Sequence, residues 1–149
     1  MGRKVFPAIT SELDNVLAML EVECEQMNAP MAAQMQLSVA VEELFVNVAN
    51  YAYTDKVISG DSIIPASQTD QSKKCTVSVE KEGDSIVVTL EDEGKPFDPF
   101  TKDDPDITQK AEDRDVGGLG IFLVKKTMDE CNYKRENGHN IVSIKKKVL

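Results

Sequence analysis

Hydrophobic positions in the first third of the chain predict one strand and then a helix. The apolar stretch from Val5 to Ile9 indicates the strand, and Pro7 suits an edge position because proline cannot donate a ladder hydrogen bond. Thr10 or Ser11 then offers an N-cap for an amphipathic first helix. The apolar face of this helix is formed by Leu13, Val16, Leu17, Leu20 and Met27.

The second predicted helix carries two different faces. Asn28-Ala-Pro30 ends the first helix, and the second runs from about Met31 through Tyr53. Glu43, Asn47 and Asn50 share one face at i, i+4 and i+7, although asparagine is a mediocre helix former. This face is either a solvated edge or a base beside an amide ligand for a magnesium-bound phosphate. The apolar stripe consists of Leu37, Val41, Leu44 and Val48.

The middle of the chain predicts a long loop and then a β-hairpin. Thr54 to Lys74 is polar and is expected to be a loop that is either mobile or a contact surface. Cys75 to Glu80 alternates as a strand, Gly83-Asp84 makes a turn, and Ser85 to Leu90 forms the second strand. Glu91 to Phe100, with the sequence EDEGKPFDPF, is the loop that follows this second strand.

The last third predicts an acidic segment, a helix and a closing hairpin. Thr101 to Asp115 has six acidic and three basic residues and is either a flexible flap or a plain solvated loop. The third helix runs from the glycines after Asp115 to about Asp129, and Cys131 to Arg135 and Asn140 to Lys146 form the hairpin. The predicted core residues of the third helix are Leu119, Phe122, Leu123 and Val124.

This order of elements predicts an α+β fold. Strands cluster in hairpins and do not alternate regularly with helices, so we expect a two-layer α/β sandwich. Its mostly antiparallel mixed sheet is covered on one face by about three helices. The 149 residues fit a single domain, 1–149.

Charge and cysteine content narrow the function. The net charge of −9 argues against a nucleic-acid surface, which normally carries a basic stripe. Cys24, Cys75 and Cys131 show no zinc or disulfide spacing, which is typical of free thiols in a reducing cytosol. Without a signal peptide or an apolar run of about 20 residues, the protein is expected to be cytoplasmic. The cations interpreted as solvated faces are Lys125, Lys126, Lys134, Arg135 and Lys145 to Lys147.

Two further motifs suggest nucleotide chemistry. Gly117, Gly118 and Gly120 precede or open a helix, where close backbone approach and free N–H groups suit a phosphate. They match neither the P-loop nor the dinucleotide fingerprint, and a bare helix start is the alternative. Asp92 and Gly94 lie where a strand ends, and the carboxylate can accept from an adenine amino group or simply form a turn.

Taken in order, these motifs closely resemble the GHKL ATPase superfamily, which has the Bergerat ATP-binding fold. The match is best to its anti-sigma factor serine/threonine kinases, which contain a histidine kinase-like ATPase domain. It covers Leu37 to Lys146, and three phrases carry it: EELFVNVANYAY, EDEGKPFDP and EDRDVGGLGIFLVKKTMDE.

The resemblance implies a role for each matching residue. Glu43 is similar to the general base that acts on the attacking hydroxyl. Asn47 is similar to the ligand of the Mg²⁺ that bridges the ATP phosphates, and Asp92 to the carboxylate that binds adenine, with Gly94 keeping the loop close to the base. The segment from Lys102 to Asp115 corresponds to the ATP lid. The implied backbone contacts to phosphate are Gly118, Leu119 and Gly120.

The chain departs from the family pattern at three places. Val116 stands where such kinases often have a cation before the glycines, and Arg114 or Lys110 is the candidate substitute. Asn140 stands where the last hairpin usually has a threonine that supports the adenine pocket. The loop from Thr54 to Lys74 is longer than the family usually needs. The first departure affects the expected catalytic rate more than ATP binding.

The resemblance implies an ATP-binding anti-sigma regulatory factor with serine/threonine protein kinase activity. It would phosphorylate an anti-anti-sigma partner, sequester a sigma factor and act as a homodimer. His139, the single histidine, lies in a predicted hairpin turn and not on a dimerising helix, which disfavours a sensor histidine kinase. The alternatives are an ATP-dependent protein-binding module without phosphotransfer and a plain ATP hydrolase. A Glu43→Ala variant separates the kinase from the binding module.

Overall fold

The computed structural model describes residues 2–53, 56–59, 62–65, 73–100 and 118–148, and side-chain surroundings are described for these residues except 56–59, 62–65, 118 and 119. The helices are α1 (Leu13–Gln26), α2 (Met31–Asn47) and α3 (Gly118–Thr127). The strands are β1 (Gly2–Pro7), β2 (Lys56–Ser59), β3 (Ser62–Pro65), β4 (Lys74–Glu82), β5 (Ser85–Asp92), β6 (Glu130–Glu136) and β7 (His139–Lys147).

The predicted α+β sandwich is confirmed. Five strands form one sheet in the order β1-β4-β5-β7-β6, and each neighbouring pair is antiparallel. β1 lies at an edge, as Pro7 indicated. Alternation along β5 buries Ile86, Val88 and Leu90, because successive strand residues point to opposite faces of the sheet. These residues share one core with the buried faces of the three helices.

Helix α1 follows the predicted apolar pattern, but it begins differently. Val16 and Leu20 are fully buried, as expected from the spacing. The predicted N-cap at Thr10 or Ser11 was wrong, because a short 3₁₀ helix occupies Thr10–Glu12 and Glu12 precedes α1 without a side-chain capping hydrogen bond. Tight i→i+3 turns of this kind are common at helix N-termini.

Helix α2 ends in a wider turn that positions the functional site. Its predicted stripe of Leu37, Val41, Leu44 and Val48 is buried. After Asn47 the helix continues as one π-helical turn from Val48–Ala52, close to the predicted end at Tyr53. Such turns occur frequently at functional sites. Here the π-helical turn brings the backbone of Ala52 to the loop that follows β5.

The hairpins agree with the turn chemistry in the sequence. Gly83 and Gly138 have φ values of 59° and 80°, and Asn137 has 53°, conformations that glycine and asparagine adopt most readily. The prediction of a loop over residues 54–74 was wrong in part, because β2 and β3 form an antiparallel hairpin within it. The remaining residues of that loop up to 72 lie outside the described residues.

Helix α3 faces the core differently from the prediction. Ile121, Val124 and Met128 are buried at i, i+3 and i+7, whereas Leu123 is 43% exposed and Phe122 is only half-buried. The helix begins at Gly118. It packs on α2, and this contact, not the run of consecutive hydrophobic residues, decides which side chains of α3 are buried. Within the described part of the chain, none of the helices has the length and hydropathy needed to cross a membrane.

Candidate functional site

A buried carboxylate lies at the end of the central strand β5. Asp92 is 4% exposed, and its Oδ1 accepts hydrogen bonds from the backbone N–H of Gly94 at 2.8 Å and from Nδ2 of Asn140 at 3.0 Å. Burial raises the pKa of Asp92, and these two hydrogen bonds and the charges of Arg135 and His139 oppose that effect. The site therefore holds a poorly solvated carboxyl group whose Oδ2 makes no hydrogen bond to the described residues.

Asn140 orients this carboxylate and the loop after it. Asn140 pairs with Asp92 across β5 and β7, and its Nδ2 also donates to the carbonyl of Lys95 at 2.7 Å. Its Oδ1 accepts from Phe97 N at 3.2 Å and from Tyr133 Oη at 2.6 Å. Because its donors are all used, Asn140 supports the predicted pocket by positioning Asp92 and does not present a free amide to a ligand.

Arg135 is exposed, as its interpretation as a solvated residue predicted, but it also belongs to this network. Its Nη1 donates to the carbonyl of Gly94 at 2.7 Å and to Oδ1 of Asn140 at 3.2 Å. The sequence contained the signal: Cys131, Tyr133 and Arg135 alternate along β6, and Cys131 and Tyr133 pack against the core. Period-two alternation therefore places Arg135 on the same face.

Other cations interpreted as solvated also have partners, and Lys126 Nζ lies 5.4 Å from the centroid of the Phe122 ring. Lys134 Nζ lies 3.0 Å from Glu136, and Lys145 Nζ lies 3.0 Å from Glu82. The ammonium group of Lys146 donates to the carbonyl of Thr127 at 2.9 Å. These contacts lie away from the Asp92 network and are structural.

The loop after β5 is held against the end of α2. The backbone N–H of Lys95 donates to the carbonyl of Ala52 at 2.7 Å. Gly94 is buried there, and a Cβ at its position would collide with the carbonyl oxygen of Ala52. The glycine at this position is therefore required by the close approach of two backbones.

Asp92, Asn140 and Asn47 line one pocket between α2, β5 and β7. The remaining lining is apolar and comes from the helix, the sheet and the loop: Leu44, Val48, Ala52, Leu90, Phe97, Pro99 and Val142. An apolar slot with one carboxylate at its end suits a flat heterocycle that carries an amino group.

The predicted base lies close to the start of α3. Glu43 is half-buried one helical turn before Asn47, and burial raises its pKa, with a smaller contribution from the charge of Glu42. A Cβ at Gly120 would collide with the carboxylate of Glu43. The structure therefore brings the Glu-x-x-x-Asn motif and the glycine motif together.

The predicted phosphate-binding residues are only partly described. Gly118, Leu119 and Gly120 form the first turn of α3, where backbone N–H groups lack intrahelical acceptors. The predicted lid from Lys102 to Asp115, which contains Lys110 and Arg114, lies outside the described residues, and so does Val116.

Asn47 fits the role of a magnesium ligand. Its carboxamide lines the pocket and makes no hydrogen bond to the described residues. The same residues contain no cluster of three His, Cys, Asp or Glu that would hold a metal alone. Magnesium bound to a nucleotide needs only one or two protein ligands because phosphates and water complete its octahedron.

This fold and site belong to a known family of ATPases. The histidine kinase-like ATPase domain family matches residues 6–146, and the chain belongs to that family. Curated protein sequences gave no match.

One solved structure shows the same fold. A crystal structure of the RsbU and RsbW domains of Rv1364c from Mycobacterium tuberculosis matches 99% of this chain with a TM-score of 0.60 and 10% identity. The match spans about a third of that chain (33%), and at this identity it shows the fold alone. A weaker match to Acinetobacter baumannii histidine kinase AdeS has a TM-score of 0.43 and 16% identity, and it covers 99% of this chain and 68% of that one.

Proposed function

We propose that this chain is an ATP-binding anti-sigma regulatory factor with serine/threonine protein kinase activity. It transfers the γ-phosphate of ATP to a serine or threonine of an anti-anti-sigma partner, and it holds a sigma factor inactive. Membership of the ATPase family supports the nucleotide part of this proposal. The motif phrases around Glu43, Asp92 and Gly118 support the kinase part, because they resemble anti-sigma kinases.

The single observation that carries the proposal is the buried Asp92 carboxylate at the end of an apolar slot. Its Oδ1 is used within the protein, and Oδ2 makes no hydrogen bond to the described residues. The amino group of adenine is a donor that Oδ2 can accept, while Leu44, Leu90 and Val142 provide apolar contact to the ring. We therefore assign the slot to adenine.

The remaining residues have roles in phosphoryl transfer. Glu43 accepts the proton of the attacking hydroxyl, and its raised pKa brings it closer to the range in which a carboxylate is an effective base. Asn47 holds Mg²⁺, which neutralises charge on the phosphates. Gly118, Leu119 and Gly120 donate backbone N–H groups to the phosphate oxygens. Arg114 is proposed as the nearby cation, and positioning accounts for most of the catalysis.

The same proposal extends to the whole chain. Residues 1–149 act as one histidine kinase-like ATPase domain, which forms a homodimer. We propose that the protein acts in the cytoplasm, where ATP is available. No nucleic acid or membrane takes part directly.

A thermal melt tests the adenine site first. Mg-ATP at 100 times its dissociation constant should add about 2.7 kcal/mol to the free energy of unfolding of the wild type. Asp92→Asn should lose this gain. In one orientation of the new amide, its NH₂ group would face the adenine amino group, which is also a donor. In the other orientation, the amide would lose the hydrogen bond that it accepts from Asn140. An equal gain in both proteins would refute the assignment of adenine to this slot.

A phosphotransfer assay then separates the kinase from a binding module. Glu43→Gln should keep the Mg-ATP stabilisation but lose transfer of radioactive γ-phosphate to an anti-anti-sigma protein of the same organism. Glu42→Gln is the matched control, since Glu42 is exposed on the next position of the same helix. If the wild type binds ATP but neither it nor the Glu42→Gln control transfers phosphate, the chain is an ATP-dependent binding module and not a kinase. If phosphate is released only to water, the chain is an ATP hydrolase.

A further inference from the structure

Helices α1 and α2 form an apolar surface on their outer side that no described residue covers. Met31, Met35 and Val39 are 65%, 63% and 54% exposed. They recur at i, i+4 and i+8, so they form one continuous stripe along α2. Isolated exposed hydrophobic residues are normal, but a contiguous stripe is typical of an interaction site.

The stripe forms one wall of a groove between the two helices. The groove is open to solvent and includes Leu17 and Cys24 of α1. From Met31 to Val39 it extends about 12 Å, which is slightly more than two helical turns. Methionine is flexible and polarizable, so two methionines allow this wall to adapt to an apolar side chain of a partner.

The charged side chains of the two helices that form this groove are all acidic. Between Val5 and Tyr53 the chain has seven acidic residues and no lysine, arginine or histidine. Asp14, Glu21 and Glu25 lie at i, i+7 and i+11 and therefore follow one side of α1. Glu42 continues the exposed stripe of α2 at i+11 from Met31. The groove is thus apolar with a rim of negative charge.

We propose that this groove binds an amphipathic helix of a partner protein whose apolar face is flanked by lysine or arginine. Complementary charge at the rim favours such a partner and increases its rate of association. A second copy of this chain is disfavoured, because a two-fold interface would place the same carboxylates opposite one another. The groove lies outside the nucleotide pocket, so the inference does not depend on ATP binding.

Binding of designed helical peptides tests this inference. The probe is an 18-residue amphipathic peptide of leucine and lysine, compared with a leucine and glutamate version of the same pattern. The lysine peptide should shift the amide NMR signals of α1 and α2. The glutamate peptide should bind with an affinity at least about tenfold lower than that of the lysine peptide. Met35→Lys should weaken the lysine peptide by at least about tenfold, because it places a cation within the groove.

Leu123→Lys is the matched control, since it adds the same charge at an exposed position of α3. Equal weakening by Met35→Lys and Leu123→Lys would mean only general attraction to an acidic protein and would overturn the proposal. Signals that shift outside α1 and α2, or no binding of the lysine peptide, would do the same. Self-association that Met35→Lys abolishes would assign the groove to a second copy of this chain instead.

Discussion

At the scale of single residues, the candidate site depends on a carboxylate that the fold buries away from water. Asp92 is buried, and its pKa is raised above the ordinary value of 3.8. Between that value and the raised pKa, the folded protein binds more protons than the unfolded chain. The unfolding free energy therefore falls as pH rises through this window. Above it, the folded protein with ionised Asp92 remains less stable than it was at low pH.

Asp92→Asn should remove this pH dependence. The amide Oδ1 can still accept from Gly94 and Asn140, and it carries no charge to desolvate. Urea unfolding of wild type and variant from below pH 3.8 upward should show the wild type losing stability relative to the variant. A wild type that gains stability relative to the variant as pH rises would show that the hydrogen bonds outweigh burial.

Arg135 is a residue whose importance is visible only through its contacts. Arg135→Ala should cost about 1 kcal/mol of stability, because the carbonyl of Gly94 and Oδ1 of Asn140 each lose a charged donor. It should also weaken Mg-ATP binding, since the loop that positions Asp92 is released. Calorimetric titration measures this effect.

Lys134→Ala is the control for Arg135, because Lys134 is the neighbouring residue and its ion pair among the described residues is with an exposed Glu136. Such surface pairs contribute between zero and about 1 kcal/mol. If the two variants bind Mg-ATP equally well, Arg135 has no positioning role.

At the scale of elements, the site is made where α2 and α3 approach each other. Glu43 projects from α2 against Gly120 in the first turn of α3, with no room for a methyl group between them. The contact fixes where the proposed base lies relative to the proposed phosphate contacts. A methyl group at this position would force the Glu43 carboxylate to move.

Gly120→Ala should therefore impair chemistry more than folding. Alanine favours the helix by about 1 kcal/mol relative to glycine, and the Glu43 carboxylate can move aside because it is the end of a flexible side chain. A shift of about 1 Å in a reacting group can cost about 100-fold in rate, so phosphotransfer should fall on that order while the melting temperature is kept. Leu123→Ala on the exposed side of α3 should leave the rate unchanged, and a full rate in Gly120→Ala would contradict the proposed role of this contact.

At the scale of the whole molecule, one core links the candidate pocket to the sheet. Cys75 pairs with Asp92 across β4 and β5, and Cys24 lies in the same core on α1. Both thiols are buried, and burial raises the pKa of Cys24 to about 11 and that of Cys75 further. Cys131 is only half-buried. The three cysteines therefore report on the integrity of the whole fold.

Thiol labelling at pH 8 should modify Cys131 first in the folded protein. Cys24 and Cys75 should react only as fast as the molecule unfolds, because neither is accessible or ionised in the native core. Mass spectrometry of timed samples measures the order. Rapid labelling of two thiols under native conditions would mean that the core around α1 and β4 opens locally.

The sequence predicted the elements well where local chemistry was sufficient. The two hairpins carry glycine at positive φ, and the stripe of α2 has strict helical spacing, so both were confirmed. The predictions from sequence were wrong where tertiary packing decides which residues are buried. Leu123 is hydrophobic but exposed, because α3 packs on α2 through Ile121 and Val124. The hairpin of β2 and β3 was missed because polar residues flank its short strands.

The sequence by itself determined the family motifs, the α+β order and the acidic character of the first two helices. These depend on residue type and spacing, which are local properties of the chain. Only the tertiary structure decided that Asn140 binds Asp92, that Arg135 binds the carbonyl of Gly94, and that Gly120 touches Glu43. Such contacts join residues separated by about 40 to 80 positions, and strand register and helix packing alone bring them together.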